Sequence, residues 1–142
     1  MKATDYLKKI KSIDAMIIAD VEELATLEAL ATKTTAVMGG ERVQSSGSQQ
    51  KMADCVVKIA ELRSKIEDEL TELLALKREA RELLCNLNDA ECITLLHKRY
   101  FLFEKWENIA VEMNYTYQWV SDGLHKKALS QFQKILDKKL KC

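Results

Sequence analysis

Residues 100–129 read YFLFEKWENIAVEMNYTYQWVSDGLHKKAL, and this stretch decides the fold. Trp106, Ile109, Ala110 and Met113 recur at i, i+3, i+4 and i+7, which predicts a short amphipathic helix with Glu107, Asn108 and Glu112 toward water. Asn114-Tyr115-Thr116 breaks it. Asn enters the left-handed backbone region at little cost and so ends helices, while a Thr hydroxyl suits the N-cap of the helix that follows. Ala110, small and mid-helix, lets that next helix cross closely. Beyond the break Val120, Leu124, Ala128, Phe132 and Leu136 recur every fourth residue and mark one buried stripe. Tyr117, Gln118, Ser121, Asp122 and His125 face away from it, and Trp119 lies half turned out. A helix, a tight turn and a second helix make a helix-turn-helix.

Working outward, Asn88-Asp89 caps a helix expected from Ala90 to Phe101, whose Ile93, Leu96 and Tyr100 give the helix-turn-helix a face to pack on. Before it, a long helix is expected from about Gln50 to Leu87. Its seam runs through Met52, Val56, Ile59, Ile66, Leu70, Leu73, Ala80, Leu84 and Leu87, interrupted by Arg63 and Lys77 with Leu62 and Leu76 beside them. A first long helix, Thr4 to about Val37, repeats Leu7, Ile10, Ile13, Ile17, Val21, Leu24, Leu27 and Ala31 in steps of three and four. Met38-Gly39-Gly40 ends it, and the Ser, Gly and Gln of the following residues predict a loop at about 38–50. Two such apolar stripes bury each other most economically as an antiparallel hairpin, which leaves apolar surface for another element or for a homodimer. The expectation is an all-α chain: a long antiparallel helical hairpin (1–87), then a C-terminal helix-turn-helix bundle (88–142).

Composition agrees. The 142 residues contain no Pro and are dominated by good helix formers. The net charge of zero hides a split, because from Ile93 onward nine Lys or Arg stand against five Asp or Glu. No signal-peptide pattern and no apolar run of the ~20 residues needed to span a bilayer is present, so a cytoplasmic protein without membrane contact is expected. Cys55, Cys85, Cys92 and Cys142 form no CxxC and read as reduced thiols. With His97 and His125 as the sole histidines, neither in a metal-binding motif, the chain offers no ligand set or acid/base couple; no metal, cofactor or enzymatic activity is expected. The Glu residues between Glu61 and Glu91 alternate with Lys and Arg at helical spacing, as on a solvated face.

Leu95-Leu96-His97-Lys98-Arg99-Tyr100, Trp106 through Thr116, and Leu124-His125-Lys126-Lys127-Ala128-Leu129 resemble the sigma-70 region 4 helix-turn-helix. In detail the chain is similar to phage-encoded activators of late transcription of the RinA/ArpU-like type. Arg42-Val43-Gln44-Ser45-Ser46-Gly47 and the helix from Lys51 resemble the linker and coiled segment of that group. The resemblance implies a sequence-specific DNA-binding transcriptional regulator, with double-stranded DNA and RNA polymerase as partners. Two departures stand out. Tyr117 to Gly123 holds no basic residue and does hold Asp122, and one extra residue between Val120 and His125, together with Gly123, leaves room for a bulge or kink.

On the DNA reading Gln118 pairs bidentately with adenine, Tyr117 and Ser121 donate to phosphate, and Lys126, Lys127, Lys98 and Arg99 neutralise backbone charge. Thr116, Trp119, Asp122 and His125 complete the outward set. The rival reading is a protein interaction module whose helix-turn-helix contacts its partner through Tyr117 and Trp119.

Overall fold

Long runs of Leu, Ala, Lys and Glu without Pro leave the chain little choice but helix, since each such residue adds a backbone hydrogen bond at small entropic cost. The computed structural model describes the backbone of residues 1–40 and 46–141 and the side chains of 1–33 and 49–140. The fold is all-α, and its described elements are α1 (Ala3–Gly40), α2 (Ser46–Leu84), α3 (Ala90–Leu96), α4 (Trp106–Met113) and α5 (His125–Lys141). Two π-helical turns, His97–Phe101 and Trp119–Leu124, continue α3 and lead into α5.

The expected loop at about 38–50 is corrected at both ends. α1 runs on to Gly40, and Ser46–Gln50 already belong to α2. Residues 41–45 lie outside the described part. Gly39 and Gly40 of α1 and Ser46, Gly47 and Ser48 of α2 have weak helix propensity, but extending an existing helix costs no new nucleus. Gln50 Nε2 also donates to Asp54 Oδ1 at 3.0 Å, one turn on.

The contacts divide into two compact units, residues 1–13 with 73–142, and residues 14–72. In the first, Leu7 and Ile10 of α1, Leu95 and Leu96 of α3, Ile109 of α4, and Val120, Leu124 and Phe132 are sealed from solvent. The Tyr6 ring packs 5.8 Å from that of Phe132. Gln133 of α5 holds the chain start, its Oε1 accepting from Ala3 N–H at 2.6 Å and its Nε2 donating to the Met1 carbonyl at 3.0 Å. The expected stripe Val120, Leu124, Ala128, Phe132 and Leu136 is buried throughout.

Within residues 14–72, α1 and α2 run antiparallel: Asp20 meets Lys65 at 3.5 Å, while Leu27, two turns further along α1, accepts from the thiol of Cys55, ten residues earlier on α2, at 3.4 Å. The seam between the helices keeps the expected Ile17, Leu24 and Leu27 of α1 and Met52, Ile59 and Ile66 of α2. It differs where Cys55 and Leu62 turn inward instead of the residues after them, and Val56 and Leu70 are 55% and 42% exposed. The observed choice puts Leu62 in the seam where the expected one had Arg63, so the more apolar face wins. It admits one acid on each helix. Asp20 is buried in the place expected for Val21, and Glu69 lies opposite it on α2.

Candidate nucleic-acid interface

The turn after α4 is closed by its own backbone. Asn114 adopts φ 60° and ψ 39°, the left-handed conformation. Its N–H donates to the Val111 carbonyl at 3.3 Å, and Tyr115 N–H reaches the Ala110 carbonyl at 3.0 Å. This is a Schellman ending, which satisfies carbonyls the helix would otherwise strand. Thr116 starts the next helix: its hydroxyl accepts from Trp119 N–H at 3.2 Å, so the Thr116 side chain is committed to a cap. The Tyr115 hydroxyl donates to the Glu91 carboxylate and ties the turn to the start of α3.

The helix after Thr116 winds as a π turn from Trp119 to Leu124 before α5 begins. A π turn accommodates one extra residue in an α-helix, and here it falls where the sequence holds one residue more than the resembling pattern. A strict four-residue spacing drifts about 40° per step around an α-helix. The wider turn takes back part of that drift and keeps Val120, Leu124 and Ala128 on one buried side. The Trp119 indole lies against Gly123, where an added Cβ would collide with its ring. Gly123 is the residue that permits this close approach.

Outward from that helix stand Tyr117 at 51% exposure, Trp119 at 43%, Gln118 and Asp122, with Ser121 half-buried. Thr116, Gln118, Trp119, Asp122 and Gly123 line a shallow open recess. His125 corrects the expectation that placed it in this outward set. Its Nε2 lies 2.7 Å from the Tyr100 hydroxyl, and its ring meets the Trp106 indole edge-on at 4.7 Å. Burial first, then the charges of Arg99 and Lys8, lower its pKa and favour the neutral ring beside the Tyr100 hydroxyl.

The four basic candidates are occupied within the chain. Lys98 pairs with Glu112 at 2.5 Å, Lys126 with Asp122 at 3.0 Å and Lys127 with Asp89 at 3.1 Å. Arg99 stacks on the Trp106 ring at 4.5 Å and donates to the Glu104 carbonyl at 3.0 Å. Hydrogen bonding to Glu112 and to Asp89 raises the pKa of Lys98 and of Lys127, and the Lys127 ammonium lowers that of Asp89.

The unit nevertheless keeps a basic excess, with sixteen Lys or Arg against ten Asp or Glu in residues 1–13 and 73–142. Part of it comes from the start of α1, whose residues 1–13 belong to this unit. Lys8 is close enough to His125 to depress its pKa, and neither Lys8 nor Lys105, the residue just before α4, has an ion-pair partner among the described residues. The clue for Lys8 was available only as the crowding of Lys2, Lys8, Lys9 and Lys11 near the start of the chain.

Cys55, Cys85 and Cys92 are unbonded thiols. Among the described residues no group of three or more His, Cys, Asp or Glu is placed to hold a metal ion, and no helix is long and apolar enough to cross a membrane. No family model matches the chain, and no curated protein or solved structure is significantly similar to it.

Proposed function

We propose that residues 88–142 form a reader of double-stranded DNA, in a transcriptional regulator of the phage type that has RNA polymerase as a second partner and no catalytic role. One observation carries the reading: the Asn114 turn and the Thr116 cap start a helix whose first residues, Tyr117, Gln118 and Asp122, are exposed while Val120 and Leu124 anchor it from behind. A recognition helix needs that combination of a fixed base and a bare leading end. Gln118 is the base-reading residue on this account, through the amide pair that matches adenine. Lys8 and Lys105 supply phosphate contacts, since the pairing of Lys98, Lys126 and Lys127 with acids weakens the set first expected.

That same pairing favours a second reading, in which the exposed Tyr117 and Trp119 dock a protein. Selection of bound duplexes from a random pool separates them. The DNA reading expects an enriched motif that Gln118→Ala relaxes at one position, and binding that weakens steeply with salt. Asp122→Asn, which releases Lys126, should tighten binding to all sequences. A pool with no enrichment overturns the DNA reading and leaves the protein partner.

A further inference from the structure

The turn of Cys55, Leu62 and Glu69 into the seam leaves a second apolar line uncovered in residues 14–72. On α1, Asp14, Ile18, Val21, Ala25 and Glu28 follow steps of three and four and therefore share one face. On α2, Val56, Arg63 and Leu70 share another, being seven apart. The Glu28–Arg63 ion pair joins the two lines across the helix pair, so both belong to one side of it. Ile18, Val21, Val56 and Leu70 are 53%, 47%, 55% and 42% exposed. The other side carries more charge: Glu23, Lys51, Asp54, Lys58, Glu61 and Lys65 border it, with Leu30 among them.

We propose that this apolar side is where a second copy of the chain docks, face to face, to make a four-helix bundle. Three observations select that occupant. Ile18, Val21 and Leu70 toward one end and Val56 toward the other flank the Glu28–Arg63 pair, with Asp14 and Glu67 at the margins, so a copy turned end for end lays apolar residues on apolar residues. The central ion pair fixes the register of such a dimer, the role polar groups often take in helical interfaces. The area is also sufficient. From Asp14 to Thr32 the face runs about 27 Å and is about 20 Å wide across two helices. That gives roughly 500 Å² per copy and about 1,000 Å² in all, the lower bound for a specific interface. A lipid surface fits poorly, because helices that lie on membranes carry Lys and Arg beside the apolar strip, whereas residues 14–72 hold six Lys or Arg against twelve Asp or Glu.

The inference does not rest on the DNA reading, and its test uses the full chain without DNA. Sedimentation velocity from about 1 to about 100 μM, the range of a modest dimer, should resolve a reversible dimer. Val21→Lys and Leu70→Lys, at exposed positions, should each raise the dissociation constant at least about tenfold with helicity unchanged. Leu30→Lys, beside the charged recess at 51% exposure, should leave it alone. A wild-type chain that stays monomeric across the range overturns the proposal. So does a Leu30→Lys variant that weakens the dimer as much as Leu70→Lys.

Discussion

Residues 1–13 with 73–142 and residues 14–72 draw on the same two long helices, yet they bury them to different depths. Phe132, Leu7, Ile10, Leu95, Leu96, Ile109, Leu124, Val120 and Cys92, the large side chains sealed from solvent, all belong to the first unit. In the second, the best-covered apolar side chains are Ile17 and Ile66 at 8% exposure, and Asp20 shares their seam. Two helices touch along a line, and a line has no inside. α3, α4 and α5 supply the extra walls that turn such a contact into a closed core. The second unit tolerates acids in its seam and keeps an apolar side exposed because it is an unfinished core.

The largest test of that contrast is a matched pair of truncations. Phe132→Ala, in the closed core, should cost about 3–5 kcal/mol, the usual range for a large aromatic deleted from packed surroundings. Ile66→Ala should cost about 2 kcal/mol, near the bottom of its range, because solvent reaches the vacated space. Urea denaturation followed by helicity measures both. Equal losses would show that the second unit is as closed as the first.

A smaller effect, sharper because its sign differs, lies in pH. In the seam of residues 14–72, Asp20 from α1 faces Glu69 from α2, with Lys65 Nζ 3.5 Å from Asp20 and 3.9 Å from Glu69, and Glu72 near by. A shared proton is the cheapest arrangement for two carboxyls so placed. The hydrogen bond to Asp20, then burial and the Asp20 charge, raise the Glu69 pKa above its ordinary 4.5. Its contribution is therefore complete below 4.5 and is lost as pH rises through the raised value. His125 works the other way. Burial lowers its pKa, so its contribution is present above about 6.5 and is lost as pH falls through the lowered value. Amide exchange should accordingly find residues 14–72 loosening on the alkaline side and the Tyr100–His125–Trp106 cluster loosening on the acid side. Glu69→Leu should abolish the first dependence and stabilise the neutral-pH protein by roughly 1–3 kcal/mol, since an apolar group replaces a poorly matched buried acid. An unchanged pH profile in that variant would remove Glu69 as its source.

These contrasts also explain what could be read from the sequence. The helix-turn-helix was legible because its signals are local: Asn114 and Thr116 set the turn within a few residues, and the Val120-to-Leu136 stripe needs one helix to interpret. The π turn at Trp119–Leu124 falls where Gly123 leaves room for a bulge or kink. The seam of α2 was read correctly at Met52, Ile59 and Ile66 but misread at Val56 and Leu70, where the preceding residues Cys55 and Glu69 turn inward, because only the partner helix decides between adjacent lines. The pairing of Lys98 and Lys127 likewise depends on where Glu112 and Asp89 come to lie, whereas Asp122–Lys126 is a local pair one turn apart. His125 looked outward by spacing, but the π turn and the Tyr100 hydroxyl draw it in.

The smallest effect pits two threonines against each other. Thr116 satisfies a backbone N–H that no helical carbonyl can reach, so Thr116→Ala should cost about 1 kcal/mol and raise amide exchange at Trp119. In residues 14–72, the Thr26 hydroxyl donates to the Glu22 carbonyl at 3.1 Å, an acceptor already engaged within α1. Thr26→Ala removes that competition and a stiff β-branched side chain, and should stabilise by a few tenths of a kcal/mol. The same atoms are deleted in both cases. A cap begins a helix and a mid-helix hydroxyl only burdens one, so if the two substitutions moved stability in the same direction, the helix would not start at Thr116 and the exposed position of Gln118 would lose its cause.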